Sequence, residues 1–323
     1  LGSLAFINTW DFPIYVGLFC FTWAYIRYQY NGWKWKVFLE FIKNGLILGI
    51  SGVVLFLPFY IGFASQAGGI LPSLEYMTKG IHFWILFGVL LIPIVWWLIH
   101  KIRQQKEQKF FARGAQITII LMLGFFLLMV LYGLVIFGFQ TLGPTLMASP
   151  NPIIANLGSR MVMGGEAFAG LHENFPTSEV IREALLRRIQ SPGTWLTLGV
   201  MLALTLGLLL PRNPKEKSDA EQTANINTVE WQPDVEKFVL ILLVFGLALT
   251  VFPEYFYLRD QFGWRMNTIF KFYFQAWILW GIVAAVLSVW LFQSLKKWKG
   301  VVFQVIWIAS MLAGLAYPSI MLW

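Results

Sequence analysis

The residues most able to do chemistry lie together between Pro253 and Trp277, in the run P-E-Y-F-Y-L-R-D-Q-F-G-W-R-M-N-T-I-F-K-F-Y-F-Q-A-W. Arg259, Arg265 and Lys271 are its cations, Glu254 and Asp260 its carboxylates, and Asn267 and Gln275 its amides. Guanidinium forks grip phosphate oxygens in pairs and an ammonium adds a point charge, so these cations suit a phosphate or pyrophosphate. A carboxylate beside them could hold a divalent cation, Mg²⁺ or Mn²⁺, or orient an Arg. Internal ion pairs of Arg259 with Glu254 or Asp260 are the competing reading. A helix starting near Arg265 places Asn267, Lys271 and Gln275 four residues apart on one stripe, with Thr268 beside it. Tyr255, Tyr257, Trp264, Tyr273 and Trp277 suit either an interfacial aromatic belt or a stacking surface for a sugar ring.

A second polar group, Asn8-Thr9-Trp10-Asp11-Phe12-Pro13, stands near the start of the chain. An Asp at the edge of an apolar run faces a polar interior or an aqueous cavity, which makes Asp11 a candidate catalytic or metal-binding carboxylate. A helix-start motif capped by Asn8, Thr9 or Asp11 explains the same residues without chemistry. Trp10, Asn267 and Gln275 are expected to line the cavity between the two groups.

The elements that position these residues are set by composition. Of 323 residues, 58% are hydrophobic and only 12% charged, against ~25% charged in soluble domains. The class is therefore an all-α, polytopic transmembrane helix bundle, expected to fold as one domain in contact with the lipid bilayer. Hydropathy predicts about eight spans, near 4–26, 38–62, 81–99, 115–139, 194–210, 237–252, 270–294 and 301–320. Pro253 is expected to end the sixth. Gly45 and Gly49 form a G-x-x-x-G pair, a mark of close helix packing.

Most of the 24 Lys and Arg residues fall in alternate loops, around Arg27–Lys43, Lys101–Arg113, Arg212–Lys237 and Lys296–Lys299. The positive-inside rule puts those loops in the cytoplasm and the stretch from Pro253 to Trp277 on the outer face of a cell membrane. Basic residues spread over four short loops do not make a nucleic-acid surface, so the net charge of +8 is read as topology. The single cysteine, Cys20, excludes an intrachain disulfide, and three scattered histidines make no metal framework.

Two long connections remain. Residues 211–236 read as a flexible cytoplasmic loop, polar and poor in apolar side chains. Residues 140–193 read as a large outer loop with a Gly-rich part and an amphipathic helix at Ser178–Gln190, lying in the membrane plane. On that helix Val180, Ile181, Ala184, Leu185 and Ile189 form the apolar face, and Arg182, Glu183, Arg187 and Arg188 the polar one. Glu166, His172 and Glu173 match no specific motif. Residues 65–80 read as a connector in which Glu75 and Lys79 could pair.

The N-T-W-D-F-P segment and the stretch from Pro253 to Trp277 resemble the YYY-type integral membrane proteins, a family related to the C-type glycosyltransferase (GT-C) superfamily. The resemblance implies a GT-C-like bundle whose outer face moves a sugar from a polyprenyl-phosphate carrier to an acceptor. It implies Arg259, Arg265 and Lys271 on the carrier phosphate, and Asp11, Glu254 or Asp260 as catalytic or metal-binding carboxylates. The family's acidic, His-containing upstream motif does not appear, so the chain reads as a C-terminal portion. Two other functions fit the residues: a transporter or flippase of an anionic lipid or solute along the same stripe, and a structural membrane subunit without chemistry.

Overall fold

The computed structural model describes residues 2–32, 34–64, 68–104, 109–170, 177–210, 234–260 and 264–321. Twelve helices and two short strands make up those residues. In chain order they are α1 (Gly2–Ile7), α2 (Asp11–Asn31), α3 (Trp35–Leu55), α4 (Leu57–Gly62), β1 (Ile70–Pro72), α5 (Gly80–Gln104), α6 (Lys109–Met147), α7 (Pro152–Gly170), α8 (Thr177–Gln190), α9 (Gly193–Leu209), α10 (Val235–Tyr255), β2 (Phe256–Leu258), α11 (Met266–Ser294) and α12 (Lys297–Met321).

Among the described residues six helices are long and apolar enough to cross a membrane: α3, α5, α6, α10, α11 and α12. A seventh arises if α8 and α9, bent by 73°, count as one span. The expected eight reduces to this because the first span is broken. Asn8 accepts a hydrogen bond from the Trp10 amide at 3.3 Å, and the chain turns between α1 and α2. The helix that follows, α2, carries Asp11, Arg27, Gln29 and Asn31 and four tyrosines, and is less apolar than the other long helices.

The bundle is centred on α5, α9, α10 and α11. Trp280 of α11 is fully buried, edge-on to Phe87 of α5 with ring centroids 5.0 Å apart. Gly246 of α10 makes room for it: a Cβ there would sit 2.1 Å from the Trp280 indole nitrogen. The outer helices α3 and α12 leave most of their apolar side chains exposed, as lipid-facing helices do. Of the expected pair only Gly45 meets a neighbouring helix, where a Cβ would stand 4.0 Å from the Cys20 sulfur of α2. A Cβ on Gly49 would meet nothing within 4 Å, and the close approach on α3 is Gly52 against the Phe12 ring.

The segment 140–193 is helical over most of its length. α6 runs on to Met147, and α7 folds back against it with glycine at the contact. A Cβ on Gly158 would lie 2.3 Å from the Met147 amide nitrogen. The described part of the Gly-rich run read as loop, residues 161–170, is thus helix, with a Cβ on Gly165 falling 3.1 Å from Gln140 Cγ of α6. His172, Glu173 and residues 211–233 of the expected cytoplasmic loop lie outside the described residues. Its last residues, from Val235, begin α10.

One small sheet joins the connections at one end of the bundle. β1 pairs antiparallel with β2, Leu71 opposite Tyr257. The Gly68 amide extends the ladder by donating to the Arg259 carbonyl at 2.7 Å. The ribbon fixes residues 68–78, expected only as a connector, against the end of α10 and the start of α11. At the far end of the bundle Lys101 pairs with Glu236 at 2.6 Å and Arg27 with Glu40 at 3.1 Å.

Candidate functional site

Both polar groups singled out in the sequence stand at the ribbon end, but their charges divide between two places. The first is buried. Pro253 does not end α10, which continues to Tyr255, so Glu254 sits in its last turn and is only 1% exposed. Its carboxylate accepts from Arg265 Nη1 at 3.0 Å, from the Thr78 amide at 3.0 Å and from Thr78 Oγ1 at 2.6 Å. Tyr273 donates a longer bond at 3.4 Å.

Arg265 also donates to the Pro253 carbonyl at 3.1 Å and to Thr78 Oγ1 at 3.3 Å. Thr194 of α9 closes the network by donating to the Thr78 carbonyl at 2.7 Å. One loop threonine therefore ties together α9, α10 and α11. Buried charges persist in a low-dielectric interior when paired and hydrogen-bonded, and this pair is. Glu254 and Arg265, expected to act on substrate, are occupied with each other and with the backbone.

The second place lies between the start of α2 and the polar stripe of α11. α11 begins at Met266 with Arg265 as its N-cap, which sets the expected phase. Asn267 donates to Asp260 at 2.6 Å. Lys271 Nζ stands over the Trp10 ring, 4.4 Å from its centroid. Gln275, 3% exposed, accepts from Tyr15 of α2 at 2.7 Å. Asp11, half-buried in the first turn of α2, is within hydrogen-bond reach of Asn8 and Gln275 and within the field of Lys271. Asp260 and Asp11 both act on the Lys271 ammonium, yet among the described residues Lys271 closes no ion pair. The stripe that spacing predicted does turn inward, and it meets the N-T-W-D-F-P segment.

Arg259 stands apart from both places, half-buried just past β2, with its backbone in the ribbon ladder. The three cations expected to converge on one phosphate are therefore dispersed. Six residues of helix separate Arg265 from Lys271, a rotation of about 240°, so one guanidinium faces α10 and the ammonium faces α2. Among the described residues no three of His, Cys, Asp and Glu gather as a metal centre.

Sequence reasoning missed two participants. Thr78 lay in a segment read as a connector. Arg188 was assigned to the polar face of α8, yet it is 4% exposed. It donates to four carbonyls: Leu74 at 2.8 Å, Ala184 at 2.9 Å, and Ser73 and Glu254 at 2.8 Å each. Val180, Ala184 and Arg188 recur every four residues and are the buried line of α8, while Leu185 and Ile189 are exposed. That i, i+4, i+8 spacing was the available signal. Its neighbour Arg187 donates to the Glu75 carbonyl at 3.2 Å and to Glu183 at 3.0 Å; the Glu75 carboxylate faces Arg187 at 4.0 Å, and among the described residues it forms no ion pair with Lys79. In the ribbon, burial pushes the Tyr257 hydroxyl above the usual tyrosine range.

An open apolar groove of about 520 Å³ runs along α3 between Leu39 and Ser51. Lys43 is its one charged lining residue, and it carries none of the candidate chemistry. No curated protein and no solved structure matches the chain. The family model described as Uncharacterized membrane protein (DUF2298) matches residues 1–280, the greater part of the chain, and the protein belongs to that family.

Proposed function

We propose that the protein is a membrane glycosyltransferase that moves a sugar from a polyprenyl-phosphate carrier to an acceptor at the ribbon end of the bundle. That end is the extracytoplasmic face on the distribution of Lys and Arg. The observation that carries this reading is Lys271 Nζ standing 4.4 Å over the ring of Trp10, the residue before Asp11, while Gln275 of the same stripe bonds Tyr15 of α2: a carboxylate and an ammonium on facing helices with, among the described residues, no ion pair between them.

Sugar transfer needs both groups. An acceptor hydroxyl gives its proton to Asp11 as its oxygen bonds to the anomeric carbon. The bond from that carbon to the carrier oxygen breaks, and the phosphate departs with the electron pair. Lys271 stabilises the charge that develops there. Gln275, held by Tyr15, orients Asp11, and Asn267 holds Asp260 beside the ammonium. Trp10 offers a flat apolar face under the ammonium. A divalent cation would take Asp11 or Asp260 as its protein ligand, because Mg²⁺ binds through one or two carboxylates and completes its shell with water and phosphate oxygens. Glu254 and Arg265 act as positioning residues that hold the phase of α11.

The experiment is transfer from a panel of polyprenyl-phosphate sugars by membranes containing the protein, with Asp11→Asn and Lys271→Met as variants. Loss of transfer in both, with both variants still folded, supports the assignment. Transfer equal to wild type in both variants, or counterflow of solute without transfer, refutes it.

A further inference from the structure

Arg188 is a buried cation without a counter-ion of its own. Among the described residues no carboxylate lies within ion-pair distance of it. The Glu254 carboxylate is taken by Arg265 and Thr78, and the Glu75 carboxylate faces Arg187, 4.0 Å away. Carbonyl oxygens and the sulfur of Met129 satisfy the Nη atoms, but Nε, although buried, has no partner.

Two more buried polar atoms close by have none either, the indole nitrogen of Trp195 and the hydroxyl of Tyr255. The three side chains share walls. Trp195 and Tyr255 face each other with centroids 5.6 Å apart. Phe126 lies 5.7 Å from the Arg188 guanidinium and 6.3 Å from the Trp195 ring, and Phe125 lies 5.7 Å from Tyr255. Native interiors leave few polar groups unpaired, and each one left unpaired calls for an explanation. Each of these three atoms can donate, one belongs to a cation, and among the described residues none of them meets an acceptor.

We propose that the space between Arg188, Trp195 and Tyr255 binds an oxyanion, a phosphate oxygen held by the Arg188 Nε–H, the Trp195 indole N–H and the Tyr255 hydroxyl. A phosphate completes what this group lacks, a negative charge and several lone pairs. The source is a lipid headgroup or free inorganic phosphate. The site is separate from Asp11 and Lys271 and does not depend on the transferase reading.

The test uses the full chain, purified in detergent and stripped of lipid, with thermal unfolding followed as phosphate or anionic phospholipid is added. Arg188 holds too many carbonyls for its removal to be informative, so the variants are Tyr255→Phe and Trp195→Phe. Wild type melts higher with the ligand, and each variant needs about tenfold more ligand for the same shift, as expected for one lost hydrogen bond to a charged group. A shift with phosphate alone identifies a free anion as the source, and a shift with lipid alone identifies a headgroup. No shift with either overturns the proposal. So does a Tyr255→Phe protein that melts higher than wild type under every condition, because deleting an unpartnered buried hydroxyl relieves a penalty.

Discussion

Splitting the Glu254–Arg265 pair should cost the fold more than any other change of charge at the ribbon end. Glu254→Gln keeps the shape of the side chain and removes its charge. Arg265 then stays buried without its carboxylate, and part of the new amide group faces the Thr78 amide, itself a donor. Breaking a buried pair by removing one partner costs roughly 3–5 kcal/mol. Arg265→Met leaves Glu254 charged and should fall in the same range. The double variant Glu254→Leu/Arg265→Met removes both charges together, and apolar replacement of a buried pair is near neutral or stabilising. It should lie well above either single variant in stability. The assay is equilibrium unfolding in mixed detergent micelles followed by tryptophan fluorescence, for which 16 Trp residues give ample signal. Single variants within about 1 kcal/mol of wild type, well short of the cost of a broken buried pair, would refute the reasoning. So would additive costs in the double variant. Either result would return Arg265 to the list of groups free to bind a ligand.

Gly114→Ala should destabilise by roughly 1–3 kcal/mol, because the new Cβ would sit 2.2 Å from the Ala203 carbonyl oxygen and α6 would have to part from α9. Gly124→Ala on the same helix meets nothing within 4 Å and should be neutral or gain up to ~1 kcal/mol from helix propensity; unfolding of the two variants side by side checks both. Burial raises Tyr76 and Tyr257 above the ordinary tyrosine value of 10.0 in the folded protein. Their protons are held more tightly when folded, so this stability is complete below that value and is lost as pH climbs through the folded values. Tyrosinate absorbance and unfolding free energy, measured on both sides of the ordinary value, follow it; stability that rises with pH there would contradict the assignment.

What the sequence made legible is what depends on local spacing. The start of α11 at Arg265 and the stripe Asn267, Lys271, Gln275 follow from helical periodicity and from the cost of leaving amides and an ammonium in hydrocarbon. Partners across the fold were not legible. Nothing near Thr78 signals that its hydroxyl will bridge Glu254, Arg265 and Tyr273, because those contacts come from segments about two hundred residues away along the chain. Arg188 was misplaced because residue type was weighed above position, and a guanidinium can lie on an inward line when carbonyls await it. The glycines of 140–170 suggested a loop, whereas glycine in an apolar helix also permits close approach, as Gly158 shows against Met147. The first hydropathic run was counted as one span although Asn8 and Asp11 carry a turn signal inside it.

The two basic residues at the head of α11 make an internal comparison that bears on function. Both are held in a bundle where charge is expensive. Arg265 meets that expense in the ordinary structural way, with a carboxylate at 3.0 Å and a backbone carbonyl beside it. Lys271, less than two turns further on, does not among the described residues. Its ammonium rests on the face of Trp10, a weaker interaction than a hydrogen-bonded carboxylate, while Asp11 and Asp260 act on it without closing an ion pair. A lysine that served only the fold would gain by closing one, since an unpaired ammonium keeps its desolvation cost. A lysine that must receive an anionic group gains by leaving its donors open, with carboxylates near enough to keep it charged. Lys271→Met should then leave unfolding stability within about 1 kcal/mol of wild type, as for a substitution that breaks no buried pair, and abolish the proposed transfer from a polyprenyl-phosphate carrier. Arg265→Met should do the reverse, lowering stability first and affecting the carrier only through the displacement of α11.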